Sequence, residues 1–265
     1  GSVLTAPEGD YGWYNKDKTA KWNFESGVVT GDMSLYAKRE KVTLPAYLET
    51  AVYTGETLDC GLTTCEDYTV TYTQNGEAAT PVKVGEYTVT VALKEGMHWE
   101  DGTTEDKTFT FTVTKKNVTA PTADETVYKY TGEEQTYFVA ESADYTVTGN
   151  KQTGVGEYTV TVALADTENT QWADGTTENK TFTFTISKKD VTVPTADETV
   201  YKCTGAEQTY IVAESADYTV SGDKQTGAGE YTVTVTLADT ENTQWADGTV
   251  EDKTYAFVIS HNYKW

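Results

Sequence analysis

The sequence predicts an all-β protein: three small β-sandwiches in tandem, forming an elongated array behind a short N-terminal partial module. Three observations carry this prediction. Threonine supplies 52 and tyrosine 19 of the 265 residues, and such β-branched and aromatic usage suits strands. Apolar side chains recur with period 2, most plainly in Tyr158, Val160, Val162 and Leu164, which alternate with Thr159, Thr161 and Ala163. Sliding the chain along itself by 73 positions lays 117–189 on 190–262 without a gap, and 57 of those 73 positions are identical.

Taken in order, residues 1–40 form the partial module, with Trp13 and Trp22 as its expected fillers, and Gly1-Ser2 reads as a cloning scar. Repeat 1 covers 41–116 and has diverged: it carries a six-residue insertion around Asn75-Gly76 and a two-residue deletion before Trp99. Repeat 2 covers 117–189, repeat 3 covers 190–262, and 263–265 is a tail. Within repeat 2, strands are expected at Asn117–Pro121, Thr126–Tyr130, Gln135–Val139 and Tyr145–Thr148. Two longer strands follow, Gly156–Leu164 and a last one with Phe182, Phe184 and Ile186 on one face and Thr181, Thr183 and Thr185 on the other. Turns bearing Gly, Asp and Asn separate them at the ~8 to 12 residue spacing of a sandwich. No helix is expected.

A 73-residue block can only just enclose a core, since domains near ~60 residues bury only about 60% of their unfolded surface. Contacts between neighbouring repeats should therefore matter. Between repeats 2 and 3 the chain runs through Ser187-Lys188-Lys189 directly into Val191-Thr192-Val193-Pro194, with no Gly/Ser linker, which favours a stiff end-to-end arrangement.

The formal net charge is −22. Such a surface repels phosphate backbones and anionic lipid, which excludes nucleic-acid binding through a basic patch. No apolar run approaches the ~20 residues of a spanning helix, so direct membrane insertion by this stretch is not expected, and the acidic surface favours a monomer. Only 37% of the chain is hydrophobic, so the case for folding rests on periodicity.

Residues that could carry chemistry are few. His98 and His261 are the only imidazoles, they stand apart in the sequence, and their counterparts in repeat 2 are Gln171 and Lys188. No catalytic constellation follows, and the chain is expected not to be an enzyme. Gly154-Val155-Gly156 and Gly227-Ala228-Gly229 imitate a phosphate loop but lead into strands, so they read as turns. No cofactor is expected; calcium is the one candidate, with oxygen ligands near Asp166, Glu168, Asp174 and Glu178 and near Asp239, Glu241, Asp247 and Glu251. Cys60 and Cys65 bracket the short connection before a DYTV strand. They fit either a disulfide, worth roughly 2 kcal/mol for so small a ring, or two reduced thiols. Cys203 replaces a tyrosine of the other repeats and is either a small buried hydrophobe or an exposed thiol. Trp99, Trp172 and Trp245 recur once per repeat and are expected to plug the cores rather than stack on sugars.

The succession Tyr130-Thr131-Gly132, Asp144-Tyr145-Thr146-Val147, the GEYTVTV strand at Gly156, Trp172, Asp174-Gly175-Thr176 and the final phenylalanine-alternating strand resembles the tandem Ig-like repeats of large surface proteins of gut Firmicutes, over 41–262. Gly12-Trp13-Tyr14, Lys21-Trp22-Asn23-Phe24 and Thr30–Lys38 resemble the closing half of a Listeria–Bacteroides repeat of the internalin B-repeat type, which implies a partial β-grasp-like module. Both resemblances imply a bacterial cell-surface or cell-wall setting, outside the cell. They imply a non-catalytic stalk or spacer in an adhesin-like protein. The alternative is a module that binds a host glycan, mucin or a host protein such as immunoglobulin through a strand edge or a tyrosine-rich face, with repeat 1 as the expected place. Self-formed cross-links of such domains would pair Lys129 with Asn179 and Lys202 with Asp252.

Overall fold

The computed structural model describes residues 4, 5, 11–39 and 41–261. The protein is all-β, and among the described residues there is no helix. Each repeat is built on one main sheet with short two-stranded pieces besides, the layering of a small sandwich.

Contacts divide the chain into two compact units. The first is Gly1–Thr119 with Asp166–Thr177, and the second is Ala120–Ala165 with Glu178–Trp265. The division passes through repeat 2, whose Asp166–Thr177 segment belongs with repeat 1.

In the first unit, repeat 1 forms a five-stranded sheet in the order Thr50–Val52, Lys107–Thr114, Gly85–Leu93, Tyr68–Gln74, Glu77–Ala78. The first pair is parallel and the others antiparallel. Lys41–Val42 pairs in parallel with His98–Trp99. The alternation in Gly85–Leu93 sends Tyr87, Val89 and Val91 inward, where they meet Trp99, Phe111, Val113, Met97 and Leu62. The N-terminal module is a hairpin-like pairing of Tyr11–Tyr14 with Tyr36–Arg39; it buries Tyr14, while Trp13 and Trp22 are half-buried.

In the second unit, repeat 3 has a four-stranded sheet ordered Tyr201–Lys202, Lys253–Ser260, Gly229–Leu237, Tyr218–Ser221. The sheet of repeat 2 has the same order, Tyr128–Lys129, Lys180–Ser187, Gly156–Leu164, Tyr145–Thr148. The expected period holds: Val160, Val162, Leu164, Phe184 and Ile186 are buried while Thr159, Thr181, Thr183 and Thr185 are exposed. Tyr145–Thr148 is a strand as expected, whereas the flanking strands shrink to Lys116–Val118, Tyr128–Lys129 and Gln135–Thr136. The first stops at Val118, ahead of Pro121, and Asp124 binds the loop that follows by side-chain hydrogen bonds that replace a ladder. Its carboxylate accepts the Thr126 N–H at 2.9 Å, the Phe138 N–H at 2.8 Å and the Tyr128 hydroxyl at 2.5 Å.

Candidate functional site

The segment Asp-Thr-Glu-Asn, which follows the GEYTVTV strand in repeats 2 and 3, folds into a turn around its own aspartate. Asp166 Oδ1 accepts the N–H of Glu168 and of Asn169, each at 3.1 Å, and Oδ2 accepts Asn169 Nδ2 at 2.8 Å. Bonds from Asn169, first through its side chain and then its backbone, hold the Asp166 carboxyl below its ordinary pKa against the upward pull of burial. The bond from its nitrogen to Asp166 orients the Asn169 amide, and its Oδ1 accepts the N–H of Val84 in repeat 1 at 2.9 Å. Lys115 Nζ donates to the Thr167 carbonyl at 2.6 Å, and the Lys116 N–H to the Asn169 carbonyl at 3.0 Å. From there Lys116–Val118 runs parallel to Thr170–Trp172, so the chain leaving repeat 1 becomes a strand against the tryptophan segment of repeat 2.

The second unit contains the same junction between repeats 2 and 3. Asp239 accepts Glu241 N–H at 3.1 Å, Asn242 N–H at 3.0 Å and Asn242 Nδ2 at 2.9 Å. Asn242 Oδ1 accepts Val155 N–H at 3.1 Å, Lys188 Nζ donates to the Thr240 carbonyl at 2.6 Å, and the Lys189 N–H donates to the Asn242 carbonyl at 3.0 Å. Lys189 also pairs with Asp217 at 2.7 Å. Asn169 is only 5% exposed, so its bonds are shielded from competing water.

Sequence reasoning placed Asp166 and Glu168 among possible calcium ligands and left Asn169 and Asn242 out. The usable signal was present: ADTENTQW is identical in repeats 2 and 3 and replaced by KEGMHW in repeat 1. The Val155 turn, read as a feeder of its strand, is also a donor to the next repeat.

A second feature is an open groove on repeat 2, about 880 Å³, lined by residues that include Tyr137, Phe138, Val139, Tyr145, Val147 and Lys151. Repeat 3 has its counterpart of about 830 Å³ at Tyr210, Ile211, Val212, Tyr218, Val220 and Lys224. Phe138 and Ile211 stand 70% and 66% exposed beside them. In repeat 1 the matching ground is occupied. The insertion lengthens its hairpin and brings Tyr72 to the position of Gly149, and the Tyr72 hydroxyl donates to Cys60 Sγ at 3.2 Å while accepting the Cys60 N–H at 3.0 Å. Burial first, then the bond to Cys60, pushes the Tyr72 phenol up to about 12. Leu62 is buried, where Val139 and Val212 are half-buried.

Cys60 and Cys65 are separate thiols rather than a disulfide. Cys60 is wholly buried under Tyr72, whereas Cys65 is exposed, so of the two arrangements the sequence allows the pair of thiols is the one found. Cys203 is half-buried. The three repeat tryptophans are at most 1% exposed and serve as core plugs; the indoles of Trp99 and Trp245 donate to the carbonyls of Glu105 and Glu251 at 2.9 and 2.8 Å. Lys129 and Lys202 are exposed, unlike the buried amine a cross-link needs, and Lys129 pairs with Asp190. Asp174 Oδ1 and Asp247 Oδ1 accept both the N–H and the hydroxyl of Thr176 and Thr249. Among the described residues, no three His, Cys, Asp or Glu side chains gather as a metal site would. His98 lies in the short strand beside Trp99, and His261 is exposed. Comparison with protein-family models gives no match, and comparison with curated proteins gives none either.

Proposed function

We propose that this chain is a non-catalytic spacer: a stalk segment of an extracellular, adhesin-like bacterial surface protein, made of Ig-like repeats whose geometric role is to hold a functional part away from its anchor. The observation that carries the reading is the junction built twice from the same atoms, in which an asparagine and a lysine tie consecutive repeats without a flexible linker. Stiffness at each boundary is what a spacer requires, whereas independent binding modules work on slack linkers. The acidic, threonine-rich surface supports the same role by keeping the chain soluble and apart from like neighbours. A glycan and serum-protein array probed with the chain tests it. No reproducible binding is expected, and binding abolished by mutation of one repeat surface would replace the spacer reading.

The second reading is a binder of a host glycan or host protein. The observation in its favour is the pair of grooves in repeats 2 and 3 with exposed Phe138 and Ile211. On this reading repeats 2 and 3 are favoured over the expected repeat 1, where Tyr72 bonds to Cys60 on the corresponding ground. F138S together with I211S should leave an array result unchanged for a spacer and abolish it for a binder.

A further inference from the structure

We propose that repeats of this type couple in one direction through a two-part match, and that repeat 2 alone carries both parts. The socket is the Asp-Thr-Glu-Asn turn with its aimed asparagine oxygen. The plug is the main-chain N–H of the turn before the GEYTVTV strand and the lysine after the last strand. In repeat 1 the plug is Val84 and Lys115; in repeat 2 it is Val155 and Lys188.

Repeat 1 has no socket. Its corresponding turn is Lys94-Glu95-Gly96-Met97, two residues shorter, closed by the Met97 N–H on the Lys94 carbonyl at 3.1 Å, with Gly96 at a left-handed φ of +80°. Lys94 Nζ turns back to the Cys65 carbonyl. No carboxylate orients an amide there, and no side-chain oxygen is aimed at a preceding turn. Repeat 1's own opening strand, Lys41–Val42, still docks on His98–Trp99, but its turn receives no preceding plug. Repeat 3 has a socket but an altered plug. Ala228 keeps the turn, yet His261 stands at the place of Lys188.

The partner each socket fits is therefore a repeat with an unaltered plug on its N-terminal side, and both sockets are filled from within the chain. Among the described residues a second copy of the chain finds no vacant socket, so the pattern that joins repeats in cis does not propagate head to tail between copies. The two-residue deletion in repeat 1 and the lysine-to-histidine change in repeat 3 thus set the order of the repeats. The inference rests on junction geometry and holds for a spacer or a binder alike.

Amide hydrogen exchange on the full-length chain tests it. Asn169→Ala should speed exchange at Val84 by at least about tenfold, with Val155 unchanged; Asn242→Ala should do the reverse. Lys188→Ala, which removes a single half-exposed side chain, should speed exchange in the Thr240–Asn242 turn alone. Thiol labelling in rising urea gives a second readout: N169A should let Cys60 of repeat 1 react at lower urea than Cys203 of repeat 3, a gap absent from N242A. Sedimentation should give a monomer at all concentrations. If either asparagine variant affects both junctions or neither, or if the chain grows head to tail, the one-way coupling is wrong, whatever the ligand array returns.

Discussion

Asp124 and Asp197 show how one polar side chain replaces a length of strand. Each accepts two main-chain N–H groups and a tyrosine hydroxyl, at 2.5 to 2.9 Å, pinning a loop that would otherwise lack a hydrogen-bond ladder. Burial pulls these carboxyls upward, but the bonds from Thr126, Tyr128 and Phe138, and from Thr199, Tyr201 and Ile211, outweigh it and hold both well below their ordinary value of 3.8. A depressed carboxyl stabilises the fold fully above its unfolded pKa and loses that contribution as pH falls through the folded one. The urea midpoint should therefore fall as pH drops below about 4, and D124N and D197N should lose about 1 to 3 kcal/mol each at pH 7, with the deficit shrinking at pH 2.5. A deficit that stays constant with pH would remove the aspartates from the account. In repeat 1, Tyr72→Phe leaves the buried Cys60 N–H without its acceptor and should cost about 1 to 3 kcal/mol in urea unfolding. Labelled with an uncharged thiol reagent at neutral pH, the exposed Cys65 should react first and the buried Cys60 only on unfolding.

Among the elements, the GEYTVTV strand and the phenylalanine strand that pairs with it hold each core together, because every second side chain on both points inward. Phe184 is wholly buried against Tyr128, Tyr137 and Tyr158. Phe184→Ala should cost about 3 to 5 kcal/mol, read by the same urea titration. The hairpin turn at Gly149 is equally constrained, since its φ is +77° and an added Cβ would collide with the Thr159 carbonyl. Gly149→Ala should destabilise repeat 2 by more than the ~1 kcal/mol of an unstrained helical or strand glycine exchange. Repeat 1 escapes this requirement because its insertion carries the strand on through Tyr72 to Gln74 and places the turn at Asn75-Gly76, both at left-handed φ.

For the whole molecule, the junctions decide whether three small sandwiches act singly or together. Within each unit the polar bonds of the junction add to what a small core supplies. Adding a chelator should leave the melting temperature unchanged, because Asp166 and Asp239 already spend both carboxylate oxygens on their own turns. A drop of several degrees on chelation, reversed by calcium, would show that the turns bind the ion instead.

The sequence by itself determined the all-β class and which face of the long strands is buried. Those depend on residue spacing, and a period of 2 over Tyr158 to Leu164 has one satisfactory reading. It also marked the three tryptophans as core plugs by their recurrence. Only the tertiary structure decided that Asn169 and Asn242 reach the preceding repeat, that Tyr72 rather than Cys65 takes Cys60, and that the flanking strands shorten around Asp124. In each case the partner lies 12 or more residues away, or a side chain competes with the backbone ladder for the same N–H. Local pattern shows that such a polar group needs a partner but carries no information about which distant group will arrive.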